Sequence, residues 1–164
     1  MLTPEQNHEH FMKEALKEAQ KAFRKGETPV GAVIVHKNKI IARAYNQVEM
    51  LKDATAHAEM IAITQAASTL GDWRLNETAL YVTKEPCFMC AGALVQSRVK
   101  QLVYGLGDPK TGGAGSALNI TADPRTNHRV IVLSGVLEAE AKSLLQDFFK
   151  AQRVKVRGII AQNN

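Results

Sequence analysis

Two cysteines are the whole thiol content of the chain, and both lie in Pro86-Cys87-Phe88-Met89-Cys90; about thirty residues upstream stands His57-Ala58-Glu59. These are zinc-ligand types with an acid beside them. Zinc takes nitrogen and sulfur ligands, usually in a tetrahedron, and a catalytic site leaves one position open for water. His57, Cys87 and Cys90 supply three ligands. On a helix the two cysteines share a face. If Pro86 opens that helix, the thiols sit at its positive end, which favours thiolate. Glu59 is harder to place, because two residues turn a helix by about 200°. His57 and Glu59 therefore converge only if a helix end faces the pocket. There Glu59 would carry a proton from water to a leaving group. A Cys-x-x-Cys also suits a redox pair or half of a structural zinc knot. A closed knot needs a fourth ligand, and neither His8, His10, His36 nor His128 has ligand-like spacing to the cluster. The redox reading leaves His57 and Glu59 unexplained.

His57-Ala58-Glu59 followed by Pro86-Cys87-x-x-Cys90 resembles the known signature of zinc-dependent nucleobase deaminases. The likeness extends to Pro29-Val30-Gly31-Ala32-Val33, Asn46, Tyr81-Val82-Thr83, Ala91-Gly92-Ala93, Ser97-Arg98, Asp108-Pro109-Lys110-Thr111-Gly112-Gly113 and Asn127-His128-Arg129. These segments resemble the bacterial tRNA-specific adenosine deaminases of the cytidine/deoxycytidylate deaminase superfamily, from about the first helix to Phe148-Phe149. The resemblance implies a cytidine-deaminase-like three-layer α/β/α sandwich, with a mainly five-stranded mixed sheet and helices on both faces. It implies one Zn²⁺ per subunit and Glu59 as the catalytic acid/base. The reaction would be hydrolysis of a cyclic amidine C–N bond, adenosine to inosine at the wobble position of a tRNA anticodon stem-loop. It also implies a homodimer.

The same resemblance sets Val30 and Asn46 against the target base and lets a backbone N–H near Ala58 bond it. It puts Asp108 and Lys110 at the RNA entrance, and Phe149 around a neighbouring nucleotide. The residues themselves leave blander readings open: Val30 or Phe149 as core, Asn46 as a loop cap, Gly105 to Asn127 as a plain connection. Three positions depart from the family's usual residues, namely Lys84, Gln96 and Leu106. They bear on substrate choice, since none is a ligand or the acid. Two alternatives follow: a deaminase of a free nucleobase or nucleotide such as guanine or cytosine, and a zinc-dependent RNA-binding protein without catalysis.

A chain of 164 residues suits one domain with a real core, read as residues 1–164 with a basic C-terminal helix or tail. It has no membrane-length apolar run and no secretory pattern at its start. With both cysteines in a metal motif, a reducing cytoplasm is expected. The net charge of +5 suits a polyanionic partner.

The elements that must position the motif follow from pattern. Thr3-Pro4-Glu5-Gln6 reads as a capping box, and Phe11, Ala15, Leu16, Ala19, Ala22 and Phe23 mark one helix face that Gly26 ends. His8 and His10 are expected to be exposed. Pro29 to Tyr45 reads as a hairpin turning at Lys37-Asn38, and Gln47 to Ala54 as a surface loop. Thr55 precedes the helix of His57 and Glu59, which Gly71 stops; Trp73 is read as a buried anchor. Thr78–Thr83, Val99–Gly105 and Arg129–Leu133 read as strands, and Leu137, Ala141, Leu144, Leu145 and Phe148 as a last helix. Lys150, Arg153, Lys155 and Arg157 follow as cations for phosphate attraction.

Overall fold

The computed structural model describes residues 3–162. The capping box forms: Gln6 N donates to Thr3 Oγ1 and Thr3 N to Gln6 Oε1, and helix α1 runs Pro4–Arg24. Strands β1 (Gly31–His36) and β2 (Lys39–Tyr45) pair antiparallel. Lys37 and Asn38 both take positive φ between them, the backbone a two-residue hairpin turn needs. Helix α2 (Val48–Leu51) follows, then α3 (Ala58–Leu70), β3 (Thr78–Lys84), α4 (Phe88–Gln96), β4 (Gln101–Leu106), β5 (Ile131–Leu133) and α5 (Glu138–Gln162).

The five strands make one sheet in the order β2-β1-β3-β4-β5. The β2-β1-β3 part is antiparallel and the β3-β4-β5 part parallel, because α4 carries the chain between β3 and β4. Alternation along the strands loads both faces. Ala32, Ile34, Leu80, Val82, Leu102 and Tyr104 join one core cluster with Ala58, Ala62 and Ala66 of α3 and Leu94 and Val95 of α4. Val33, Val35, Tyr81 and Val103 point the other way, into a cluster with Phe11, Met12 and Ala15 of α1 and Leu137 at the start of α5. The result is the expected α/β/α sandwich. It positions the site by a simple route: α3 and α4 lie side by side on one face with their N-termini at the same end of the sheet.

Three local expectations change. Residues 47–54 are not a plain loop, since they contain α2. Trp73 is 53% exposed rather than buried, with the Arg74 guanidinium 4.3 Å over its ring; this local cation–π contact takes the place of an interior. His8 is half-buried, with Nδ1 2.9 Å from the Tyr81 hydroxyl, while His10 is exposed. Lys150, Arg153, Lys155 and Arg157 continue α5 as helix. None of the described helices is long and apolar enough to cross a membrane.

Leu94 is fully buried between α4 and the sheet. Leu94→Ala is expected to lower unfolding stability by about 2–5 kcal/mol, read by urea denaturation.

Candidate active site

His57 precedes α3 as its N-cap, in extended conformation (φ −73°, ψ 152°), and Glu59 lies in the first turn. The 200° divergence of a mid-helix pair therefore does not arise: the chain enters the helix between the two residues. Cys87 plays the same part on α4, an N-cap with φ −68° and ψ 177°, and Cys90 lies one turn on. Pro86 stands just before the cap rather than in the first turn. Neither residue makes the usual side-chain cap bond to the first turn of its helix. Both are left for something else, at the positive ends of two helix dipoles.

The donor atoms of His57, Cys87 and Cys90 all lie within 4.8 Å of one another. His57 Nδ1 is 3.6 Å from Cys87 Sγ and 3.5 Å from Cys90 Sγ. Zn–S bonds of about 2.3 Å and Zn–N bonds of about 2.0–2.1 Å at a tetrahedral angle would put sulfur and nitrogen about 3.5–3.6 Å apart. One nitrogen equidistant from two sulfurs at that spacing fits a cation between them. The titration of the groups fits as well. The hydrogen bond from Cys90 and the neighbouring His57 drive the Cys87 thiol well down, while that bond to Cys87 and burial push Cys90 up. The hydrogen bond to Cys87 raises His57 against burial, with the Glu59 charge adding to the rise.

Glu59 is 4% exposed, and burial raises its carboxyl above the usual range. A buried acid with a raised pKa is suited to general acid–base chemistry.

His57, Cys87 and Glu59 line a cleft of about 250 Å³, large enough for a nucleobase. Val30, Asn46 and Ala58 line it too. Asn46 is buried. Lys84 and Thr111 also line the cleft. Phe149 is not in this cleft. It is exposed on α5, stacked edge-on against Phe148 with ring centroids 5.5 Å apart. Leu106 lies with Phe149 in an adjoining groove.

Asp108 and Lys110 separate in role. Asp108 Oδ1 accepts the backbone N–H groups of Lys110 and Thr111, and Oδ2 accepts the Thr111 hydroxyl and the Lys84 ammonium at 2.8 Å. Burial raises its carboxyl, but Lys84, Thr111 and the two backbone donors together hold it well below its ordinary range. Its capacity is spent on the loop. Lys110 is exposed.

Sequence reasoning did not single out Glu85, yet this loop hangs from it. Glu85 is 3% exposed; Oε2 accepts Asp108 N at 2.8 Å, and Oε1 accepts Ala114 N and Ser116 N at 3.1 Å each. The segment after β4 is thereby drawn across the cysteine turn, where Gly113 N donates to Pro86 O. A Cβ at Gly112 would sit on the Glu85 carboxylate. The adjacent glycines were the visible trace of this approach.

Comparison with known proteins agrees with this geometry. A family model described as MafB19-like deaminase matches residues 6–153. The chain is 52% identical to the tRNA-specific adenosine deaminase of Bacillus subtilis (strain 168) over 147 residues, 90% of this chain and 91% of that one. It is 51% identical to the protein of the same name from Aquifex aeolicus (strain VF5), covering 88% of this chain and 95% of the relative. A solved structure from work on A-to-I editing by tRNA:A34 deaminases superposes with a TM-score of 0.80 at 43% identity, over 83% of this chain and 99% of that one. A guanine deaminase from Nitrosomonas europaea shares the fold, with a TM-score of 0.74 at 22% identity over 90% of this chain and 85% of that one.

Glu85→Gln turns one acceptor into a donor facing backbone N–H. It is expected to cost about 1–3 kcal/mol and to speed limited proteolysis between residues 107 and 118, read by mass spectrometry of the first cleavage products.

Proposed function

The chain belongs to the MafB19-like deaminases and to the tRNA-specific adenosine deaminase family, and on that premise we propose that it converts adenosine to inosine at the wobble position of a tRNA anticodon loop. One observation carries the chemistry: His57, Cys87 and Cys90 converge within 4.8 Å, and His57 and Cys87 line the cleft that the buried Glu59 also lines.

His57, Cys87 and Cys90 would hold one Zn²⁺ per subunit, with the two helix N-termini favouring their anionic sulfurs. When bound, zinc supplies Lewis acidity that makes a water acidic near neutral pH. The chain's own groups do the rest. The target adenine must leave the stack to be reached, and an anticodon loop lowers that cost by offering unpaired bases. Val30 and Asn46 would bound the base in the cleft. Ala58, first residue of α3, has an N–H without an intrahelical acceptor, free to bond the base. Glu59 would take a proton from the attacking water and pass it to N1 as oxygen adds at C6. It would then take the proton of the new C6 hydroxyl and deliver it to the amine as the C–N bond breaks and the C6 carbonyl forms. Adenosine and water become inosine and ammonia, and Glu59 ends as it began.

Lys110 would contact RNA phosphate at the mouth, on a turn that Asp108 shapes. Lys150 and Arg153 beside Phe149 extend a basic, aromatic surface along α5 suited to the rest of the anticodon arm. The same reading makes the enzyme a cytoplasmic homodimer.

The test is inosine formation on an anticodon stem-loop with adenosine at the wobble position, beside free adenine, guanine and cytosine. Wild type is expected to make inosine in the RNA only. Glu59→Ala is expected to lose about 10²–10⁴-fold or more in rate while keeping its zinc. Cys87→Ala is expected to lose both zinc and activity. Ammonia from a free base without inosine in RNA would replace this function with nucleobase deamination. RNA binding without turnover in wild type would remove catalysis altogether.

A further inference from the structure

Glu27 is a third buried carboxylate at the cleft, beside Glu59 and Glu85, and the chemistry above does not use it. It is 1% exposed and lines the cavity. Its position begins with the end of α1. Gly26 takes φ +75°, Gly26 N donates to Phe23 O, and Glu27 N donates to Ala22 O. This is the paired hydrogen bonding of a Schellman ending, and it turns Glu27 away from the helix axis.

The carboxylate then meets three donors from residues 46–50. Oε1 accepts Met50 N at 2.6 Å, and Oε2 accepts Glu49 N at 3.1 Å and Asn46 Nδ2 at 3.4 Å. Glu49 and Met50 are the second and third residues of α2, whose own N-cap residue, Gln47, makes no side-chain cap bond. First-turn N–H groups need an acceptor from outside the helix. A four-residue helix is too short to stand without one. Glu27 is that acceptor, supplied from twenty residues back in the chain. Because a carboxylate only accepts, it also fixes which end of the Asn46 amide faces it.

We propose that Glu27 is a positioning residue for the substrate base: it caps α2 from a distance and locks the Asn46 amide, and so sets the wall against which the base rests. The inference rests on the reading of this cleft as the adenosine pocket. It assigns Glu27 no proton and no contact with the reacting atoms. Its effect on substrate passes through Asn46 and the first turn of α2.

Inosine formation on the wobble-adenosine stem-loop is measured over a range of RNA concentrations for wild type, Glu27→Gln, Asn46→Ala and the double variant. Zinc content and melting temperature are recorded for each. A glutamine keeps the shape but sets an NH₂ against N–H donors, so KM is expected to rise about tenfold or more, with one zinc per chain retained. The double variant is expected to raise KM by clearly less than the product of the two single effects, as residues acting through one another do. A wild-type KM in Glu27→Gln overturns the proposal, and so do effects that multiply in the double variant. A lowered melting temperature with no coupling to Asn46 is the mark of a merely structural acid, and overturns it too. If Glu27→Gln does not fold, amide hydrogen exchange in wild type decides. Slow exchange at Glu49 and Met50 is expected, and exchange at the rate of unbonded amides overturns the cap. Wild type that makes no inosine overturns the adenosine reading, and this inference falls with it. Wild-type turnover with multiplying variants overturns this inference alone.

Discussion

Everything in this structure depends on two helix N-termini meeting at one point. His57 caps α3 and Cys87 caps α4, and each presents its side chain outward because it makes no cap bond of its own. The sheet enforces the meeting. α3 and α4 bury small and aliphatic residues against the same face, Ala58, Ala62 and Ala66 from one and Leu94 and Val95 from the other. Packing against the sheet holds the two helix ends together, where a nitrogen lies 3.5 and 3.6 Å from two sulfurs. The positive ends of both dipoles favour thiolate at the same place.

The walls of the cleft follow a second rule. On each side a buried glutamate collects backbone N–H groups from a segment distant in sequence. Glu85 gathers Asp108, Ala114 and Ser116; Glu27 gathers Glu49 and Met50. Acids buried so deeply need such donors, since a carboxylate without partners would cost several kcal/mol. The arrangement turns two irregular stretches into fixed surfaces beside Glu59. Lys84 joins the same scheme by pairing with Asp108.

The sequence made the meeting of His57, Cys87 and Cys90 beside Glu59 legible, because metal-binding chemistry restricts residue types and the spacings are local. It also made the sandwich legible, through strand alternation and the capping box at Thr3. What it hid was long-range. Helix α2 shows no sign in residues 47–54, because its cap is Glu27 and not a neighbour. Glu85 reads as a spacer before Pro86-Cys87, because its partners are backbone groups that leave no mark on side-chain type. Trp73 was expected inside and is outside, held by the adjacent Arg74. Phe149, which pattern alone reads as core as readily as surface, lies exposed beyond the catalytic cleft.

The most direct test of the central claim is the zinc K-edge X-ray absorption spectrum of the purified protein. The account predicts one zinc per chain with two sulfur neighbours at about 2.3 Å and nitrogen at about 2.0–2.1 Å, the coordination being completed by one light scatterer from solvent. A shell closed by a second histidine would contradict it, making the site structural. So would a protein that binds zinc without sulfur in its first shell.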